Sequence, residues 1–115
     1  MPESSEPQSL LPLTPAVFHI LLALADGERH GYAIMQEISQ FTEGRLQIGP
    51  GTLYRSIDRL LGDGLIEACD GPPDPDNRER RYYRLTEYGQ RVAQAELQRL
   101  SDLVTFGKSR QWGQA

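Results

Sequence analysis

Apolar residues recur along this chain in blocks whose period changes from helical to strand-like and back. Val17, Ile20, Leu21 and Leu24 fall at helical spacing, and Phe18 and Leu22 widen the stripe. Thr14 followed by Pro15 is a helix start, a threonine N-cap with proline at the first helical position. Asp26-Gly27 ends that helix. A second helix is predicted from about His30 to Phe41, with Ile34, Ile38 and Phe41 as its buried stripe and Thr42-Glu43-Gly44 as its stop. A third runs from Pro50 to near Asp63-Gly64, with Gly49 as a tolerable N-cap. Leu53, Ile57, Leu60 and Leu61 give it the i, i+4, i+7, i+8 pattern of a one-faced helix.

The period then drops to two. Leu65 to Cys69 reads as a short strand, and Asp70 to Glu79, rich in proline with a glycine and an asparagine, reads as a loop. Arg81 to Leu85 is the returning strand, with Tyr83 and Leu85 on one face and Tyr82 and Arg84 on the other. Thr86 caps a last helix predicted to run to about Phe106. Ala93, Leu97, Leu100 and Val104 stack along it, Val92 and Leu103 widen the line, and Gln94, Gln98, Ser101, Asp102 and Thr105 take the opposite side. The expected fold is mainly α with a small β-hairpin: a winged helix-turn-helix DNA-binding domain plus a C-terminal dimerisation helix. The expected divisions are a flexible N-terminal arm (1–12), the winged helix domain (13–85), the dimerisation helix (86–107) and a tail (108–115).

The length of 115 residues suits one domain, and 38% hydrophobic residues allow a small core that gains from burial against a partner. Cys69 is the only cysteine, which excludes an intrachain disulfide and a thiol-rich metal site. No metal or cofactor is expected. No apolar run nears the roughly 18 residues of a membrane span and no signal-peptide pattern opens the chain, so a cytoplasmic protein is expected. The net charge of -4 argues against a uniformly basic DNA-binding domain, so charge placement matters more than its sum. Lys108 is the single lysine among 12 basic residues; the others are arginines, whose forks match phosphates and guanine edges.

With the apolar stripe of the third helix facing inward, Thr52, Arg55 and Arg59 fall on its outward face, with Tyr54 at the edge. Thr52 to Arg59 spans roughly 10 Å at about 1.5 Å per residue, or about three base steps of a DNA groove. Arg78, Arg80 and Arg81 are the basic residues of the wing, interleaved with Asp70, Asp74, Asp76 and Glu79. The arginines are expected to face the DNA backbone and the acids to face solvent. Val92, Ala93, Leu97, Leu100, Leu103 and Val104 form a stripe too long for a three-helix core to cover, and are expected to pair with a second copy. Such a two-fold dimer would address a pseudo-palindromic operator in double-stranded DNA. The competing classes are weaker. His19 and His30, the 2 histidines, show no nucleophile partner, and Gly49-Pro50-Gly51 lacks the lysine and spacing of a phosphate-binding loop, so an enzyme is not expected. A winged helix used only for protein binding is the alternative that the acidic balance permits.

At these same residues the chain resembles the PadR family of bacterial transcriptional regulators. His30-Gly31-Tyr32-Ala33-Ile34 is similar to the family's second-helix motif, and Gly51-Thr52-Leu53-Tyr54, then Arg59-Leu60-Leu61 and Gly64-Leu65-Ile66, to its recognition helix. Arg81-Tyr82-Tyr83-Arg84-Leu85-Thr86 with Gly89 is similar to the wing strand and the start of the last helix, so that the likeness spans about Leu13 to Gly89. Gly49 stands where a serine-like cap is usual and Arg55 where proline is frequent. The resemblance implies a homodimeric repressor, often autoregulatory, of the short subgroup with a single C-terminal helix. It also implies a small aromatic effector held at the dimer interface, for which Phe106 and Trp112 are the candidates. The plainer role for those two is to close the dimer or to pack on an arm formed by Leu10, Leu11 and Leu13.

Overall fold

The computed structural model of the chain describes residues 6–72, 81–110 and 112. Helix α1 spans Pro15–Ala23, and the Thr14 hydroxyl caps it by accepting the Val17 N–H at 3.2 Å. Its apolar residues surround the helix because α1 lies at the centre, against the three other helices. Val17, Phe18, Ile20, Leu21 and Ala23 are buried, whereas Leu22, expected to widen the stripe, is 40% exposed.

Helix α2 is Gly31–Phe41. His30 caps it, its Nδ1 accepting the Ala33 N–H at 3.2 Å. Ile34 and Ile38 are fully buried, but Phe41 is 43% exposed and corrects the expected stripe. It is the last residue of α2, where the helix has passed the core, and its ring stacks on His19 with centroids 5.8 Å apart. Helix α3, Pro50–Gly62, starts from an extended Gly49 without a side-chain cap. Leu53, Ile57 and Leu60 are buried and Leu61 is half-buried. Gly64, at φ 75°, ends it: the Leu65 N–H donates to Leu60 O at 2.9 Å and the Gly64 N–H to Leu61 O at 3.1 Å. That left-handed residue with two returning bonds is the usual helix stop, and only glycine takes it without strain.

Strands β1 (Arg29–His30), β2 (Ile66–Cys69) and β3 (Tyr82–Leu85) form an antiparallel sheet in the order β1-β3-β2. The hairpin of β2 and β3 matches the expected wing stem, with Ile66 opposite Leu85 and Glu67 opposite Arg84. Tyr83 is buried and Arg84 exposed, as strand alternation requires. Two-residue β1 was not foreseen, because two residues carry no readable alternation. It is pinned by Arg29, whose Nε donates to Ala23 O at 2.7 Å and whose guanidinium meets Glu37 at 3.5 Å.

Helix α4 runs Glu87–Ser109, past the expected end at Phe106. The Thr86 hydroxyl accepts the Gly89 N–H at 2.9 Å and donates to Gly64 O at 2.6 Å, tying the start of α4 to the end of α3. Gly89 lies so close to the Leu65 backbone that an added Cβ would overlap the Leu65 carbonyl oxygen.

Two expectations are corrected along α4 and the arm. Val92, expected at a dimer interface, is fully buried in the core of its own chain. It faces inward because it sits in the first turns of α4, which pack on α1. Residues 6–12, expected as part of a flexible arm, carry a 3-10 turn at Pro7–Leu10 and pack against α4, with Leu10 and Leu11 on the core. The reason is Glu96, 2% exposed, whose carboxylate accepts the Leu13 N–H at 3.1 Å and two bonds from Arg99 at 2.6 and 3.1 Å. The Arg99 hydrogen bond holds the Glu96 carboxyl below the usual range, with the Leu13 N–H adding to it and burial opposing. A depressed carboxyl stabilises the fold above its unfolded pKa and loses that contribution as pH falls through the folded value. Glu96→Gln is expected to lower the thermal midpoint by about 5 °C at pH 7. The gap to wild type should close as pH drops from about 5 to about 3, below the ordinary glutamate value. Melting curves across that range check this; a gap that stays constant would remove the ionic role of Glu96.

Candidate nucleic-acid interface

The amphipathic pattern of α3 turns its apolar stripe onto α1 and leaves the other face to solvent. Thr52, Tyr54, Arg55 and Arg59 are all exposed there. Arg55 leans back along the helix, its Nη2 3.5 Å from the Thr52 hydroxyl. The pair therefore presents a guanidinium and a hydroxyl together one turn into the helix, where free N-terminal amides also point outward.

Tyr54 is half in and half out. It is 46% exposed, yet its phenol lies across Gly31, where a Cβ would approach Cζ to 3.0 Å and crowd the hydroxyl still more. Gly31 is thus a close-approach position that sets α2 under the reading helix. Periodicity gave no sign of it; the only signal was its place in the His30-Gly31-Tyr32 motif. Arg59 sits toward the far end of α3. It makes a loose ion pair with Asp63 at 3.9 Å and borders a cleft of about 40 Å³ shared with Leu10 and Pro12 of the arm and with Thr14, the cap of α1. An exposed pair of this kind contributes little and leaves the guanidinium free to swing out.

The wing is reached through β3. Arg81 is exposed at the root of the strand. Arg84 is engaged across the sheet by Glu67, with Nε donating to the carboxylate at 2.7 Å, so it stiffens the stem. Arg78 and Arg80, with Asp74, Asp76 and Glu79, lie outside the described residues. Tyr83 joins wing and helix. Burial raises its phenol, Arg81 opposes that, and Tyr54 and Asp58 add to it, so all three act on one hydroxyl at the seam of α3 and β3. Thr52, Tyr54 and Arg55 are exposed together on α3, Arg81 is exposed at the start of the wing strand, and Arg59 borders the arm.

Along α4 the polar and apolar sides separate once the body ends. Ala93 and Leu100 are half-buried, whereas Leu97, Leu103 and Val104 are 58, 54 and 57% exposed. Residues 101–106 are exposed all round the helix. Phe106 is 57% exposed beneath the Arg110 guanidinium, 4.6 Å from its ring centroid, and Trp112 is 83% exposed. The arm packs on α4 without Trp112. Among the described residues, no helix is long and apolar enough to cross a membrane.

A family model for the PadR-like transcriptional regulators matches residues 20–95. A transcriptional regulator of Mycobacterium tuberculosis is 36% identical over 86 residues, which span 75% of this chain and 76% of that protein. The solved structure of a transcriptional regulator from Clostridium thermocellum is similar at a TM-score of 0.69 and 26% identity, over 85% of this chain and 89% of the other. Bacillus subtilis PadR, solved in complex with operator DNA, is similar at a TM-score of 0.64 and 22% identity, over 75% of this chain and 48% of that one. The fold is accordingly the winged helix of these regulators, and the chain belongs to the PadR-like family of transcriptional regulators.

Proposed function

We propose that the chain is a sequence-specific DNA-binding regulator that acts as a homodimeric repressor on a pseudo-palindromic operator. The observation that carries this reading is the exposed row of Thr52, Tyr54 and Arg55 on α3, together with an exposed Arg81 at the start of the wing strand. A helix of that width fits a major groove, and a basic strand beside it meets the flanking phosphates. Family membership and the operator complex of the Bacillus subtilis relative support the same role.

The dimer follows from the outer half of α4. Leu97, Leu103, Val104 and Phe106 are each more than half exposed. Each is already partly covered, so each would gain about half of the roughly 1.5–3 kcal/mol of full burial against a second copy. Two-fold pairing would set the reading helices about 34 Å apart, one turn of DNA. Release by a small-molecule or other signal belongs to the same reading, and a flat aromatic effector would stack on Phe106 and Trp112 at the end of α4.

Charge reversal on the wing tests it. Arg81→Glu is expected to weaken binding to every sequence by about tenfold and to reduce the slope of affinity against salt by about one. Arg55→Ala should cost a similar factor but at one base pair of each half-site. Titrations of both variants at two salt concentrations separate the effects. Unchanged affinity and slope in Arg81→Glu would remove the wing from the interface.

A further inference from the structure

We propose that Asp58 is a specificity residue that reads cytosine in the operator, next to the base pair read by Arg55; this rests on the DNA-binding role given above. Asp58 is exposed on α3. At about 100° per residue, it and Arg55 point within about 60° of each other, away from Leu53, Ile57 and Leu60. They are three residues apart, about 4.5 Å along the helix axis. That rise is close to one base step of about 3.4 Å, so the two side chains address neighbouring base pairs.

A carboxylate on this face is expensive beside phosphates unless a donor meets it. Asp58 has no ion-pair partner among the described residues. Arg55, on the same helix face, turns toward Thr52, its Nη2 3.5 Å from the hydroxyl. Two neighbouring carboxylates are paired, Asp63 loosely with Arg59 at 3.9 Å and Glu67 with Arg84 at 2.7 Å. Once α3 enters the groove, Asp58 faces the base edges beside Arg55.

The donors that a major groove presents to a carboxylate are the amino groups of cytosine and adenine. Adenine places the N7 acceptor beside its amino group, which repels a second acceptor-only group. Cytosine offers its N4 amino group without an acceptor on the same base edge, and an aspartate accepts from it. Arg55 beside it takes a guanine through O6 and N7. The unpaired charge also opposes binding to any sequence lacking the donor, so the residue acts by exclusion as well as by contact.

Selection from a pool of random DNA duplexes, with wild type and with Asp58→Asn and Asp58→Ala, tests this. Wild type is expected to select a cytosine at one position of each half-site. Asp58→Asn should shift that position toward adenine, which an amide reads through N6 and N7. Asp58→Ala should lose about tenfold discrimination there and bind non-cytosine sites more tightly, with the other positions unchanged. Asp58 is exposed, so both variants should keep the wild-type thermal midpoint, measured alongside. If wild type selects a site and both variants select the same site, Asp58 is not a reader and the DNA-binding role stands. If wild type selects no site, the DNA-binding role and this proposal fall together.

Discussion

Gly89→Ala is expected to cost a large share of the stability of the domain and to lower its unfolding midpoint well below that of the wild type. The added methyl would overlap the Leu65 carbonyl oxygen and sit 2.8 Å from the Leu65 carbonyl carbon, both backbone atoms. Neither can rotate away, because Leu65 is held from two directions. Its N–H donates to Leu60 O at 2.9 Å and its carbonyl accepts the Thr86 N–H at 3.1 Å. Relief would require α4 to lift off the Leu65 backbone, which breaks the Thr86 bridge to Gly64 and uncovers Val92. Overpacking of a rigid site costs about 1–3 kcal/mol and more when backbone must move, against a total of about 5–15 kcal/mol. Urea unfolding checks it: a midpoint near wild type would mean that the contact of Gly89 with Leu65 is looser than the structure shows. Gly49→Ala is the control, since nothing lies within 4 Å of a Cβ there.

Leu97→Glu combined with Val104→Glu is expected to convert a dimer to a folded monomer and to lower apparent operator affinity by at least about a hundredfold. The two residues, 58 and 57% exposed, contribute nothing to the monomer core, so far-UV spectra and the body of the fold should be unchanged. Two charges would enter the centre of the proposed interface without partners, where an unpaired buried charge is strongly destabilising. Operator affinity follows because linked half-sites bind with an avidity about 10²–10⁴ above one. Light scattering gives the mass and a DNA titration the affinity. Dimeric mass in the double variant would place the interface elsewhere. Val92→Glu serves as contrast: Val92 is buried in its own chain, so that variant should unfold the monomer itself.

The parts of the fold governed by local pattern were legible in the sequence. Thr14, Pro15, Pro50 and Thr86 marked helix starts that the structure retains, because a cap and a fixed φ act through neighbouring residues only. Alternation around Tyr83 gave the faces of the wing stem for the same reason. What depended on tertiary contact was not legible. Phe41 continues the stripe of α2 by spacing, but the core ends one turn earlier. Nothing in the spacing of α4 marks Glu96, and only the arrival of the Leu13 N–H and Arg99 explains its burial. Val92 and Leu97 sit five residues apart on one stripe, and nothing in that spacing separates the residue that faces its own core from the one that does not. The outward line of α3 was readable as Thr52, Arg55 and Arg59. Asp58 is also outward by the same helical spacing, and the structure adds that Arg59 borders the arm and that Tyr54 rests on Gly31.

Binding of the wild-type protein to DNA from upstream of its own gene, followed by fluorescence anisotropy at about 50 and about 200 mM salt, tests the central claim most directly. A dimer that reads two half-sites should bind with nanomolar-range affinity at the lower salt and protect two segments about 10 base pairs apart. It should also lose affinity steeply at the higher salt and prefer that DNA over a scrambled duplex by about a thousandfold. Equal affinity for scrambled DNA, or no binding there and none on genomic fragments, would contradict sequence-specific recognition by α3 and the wing.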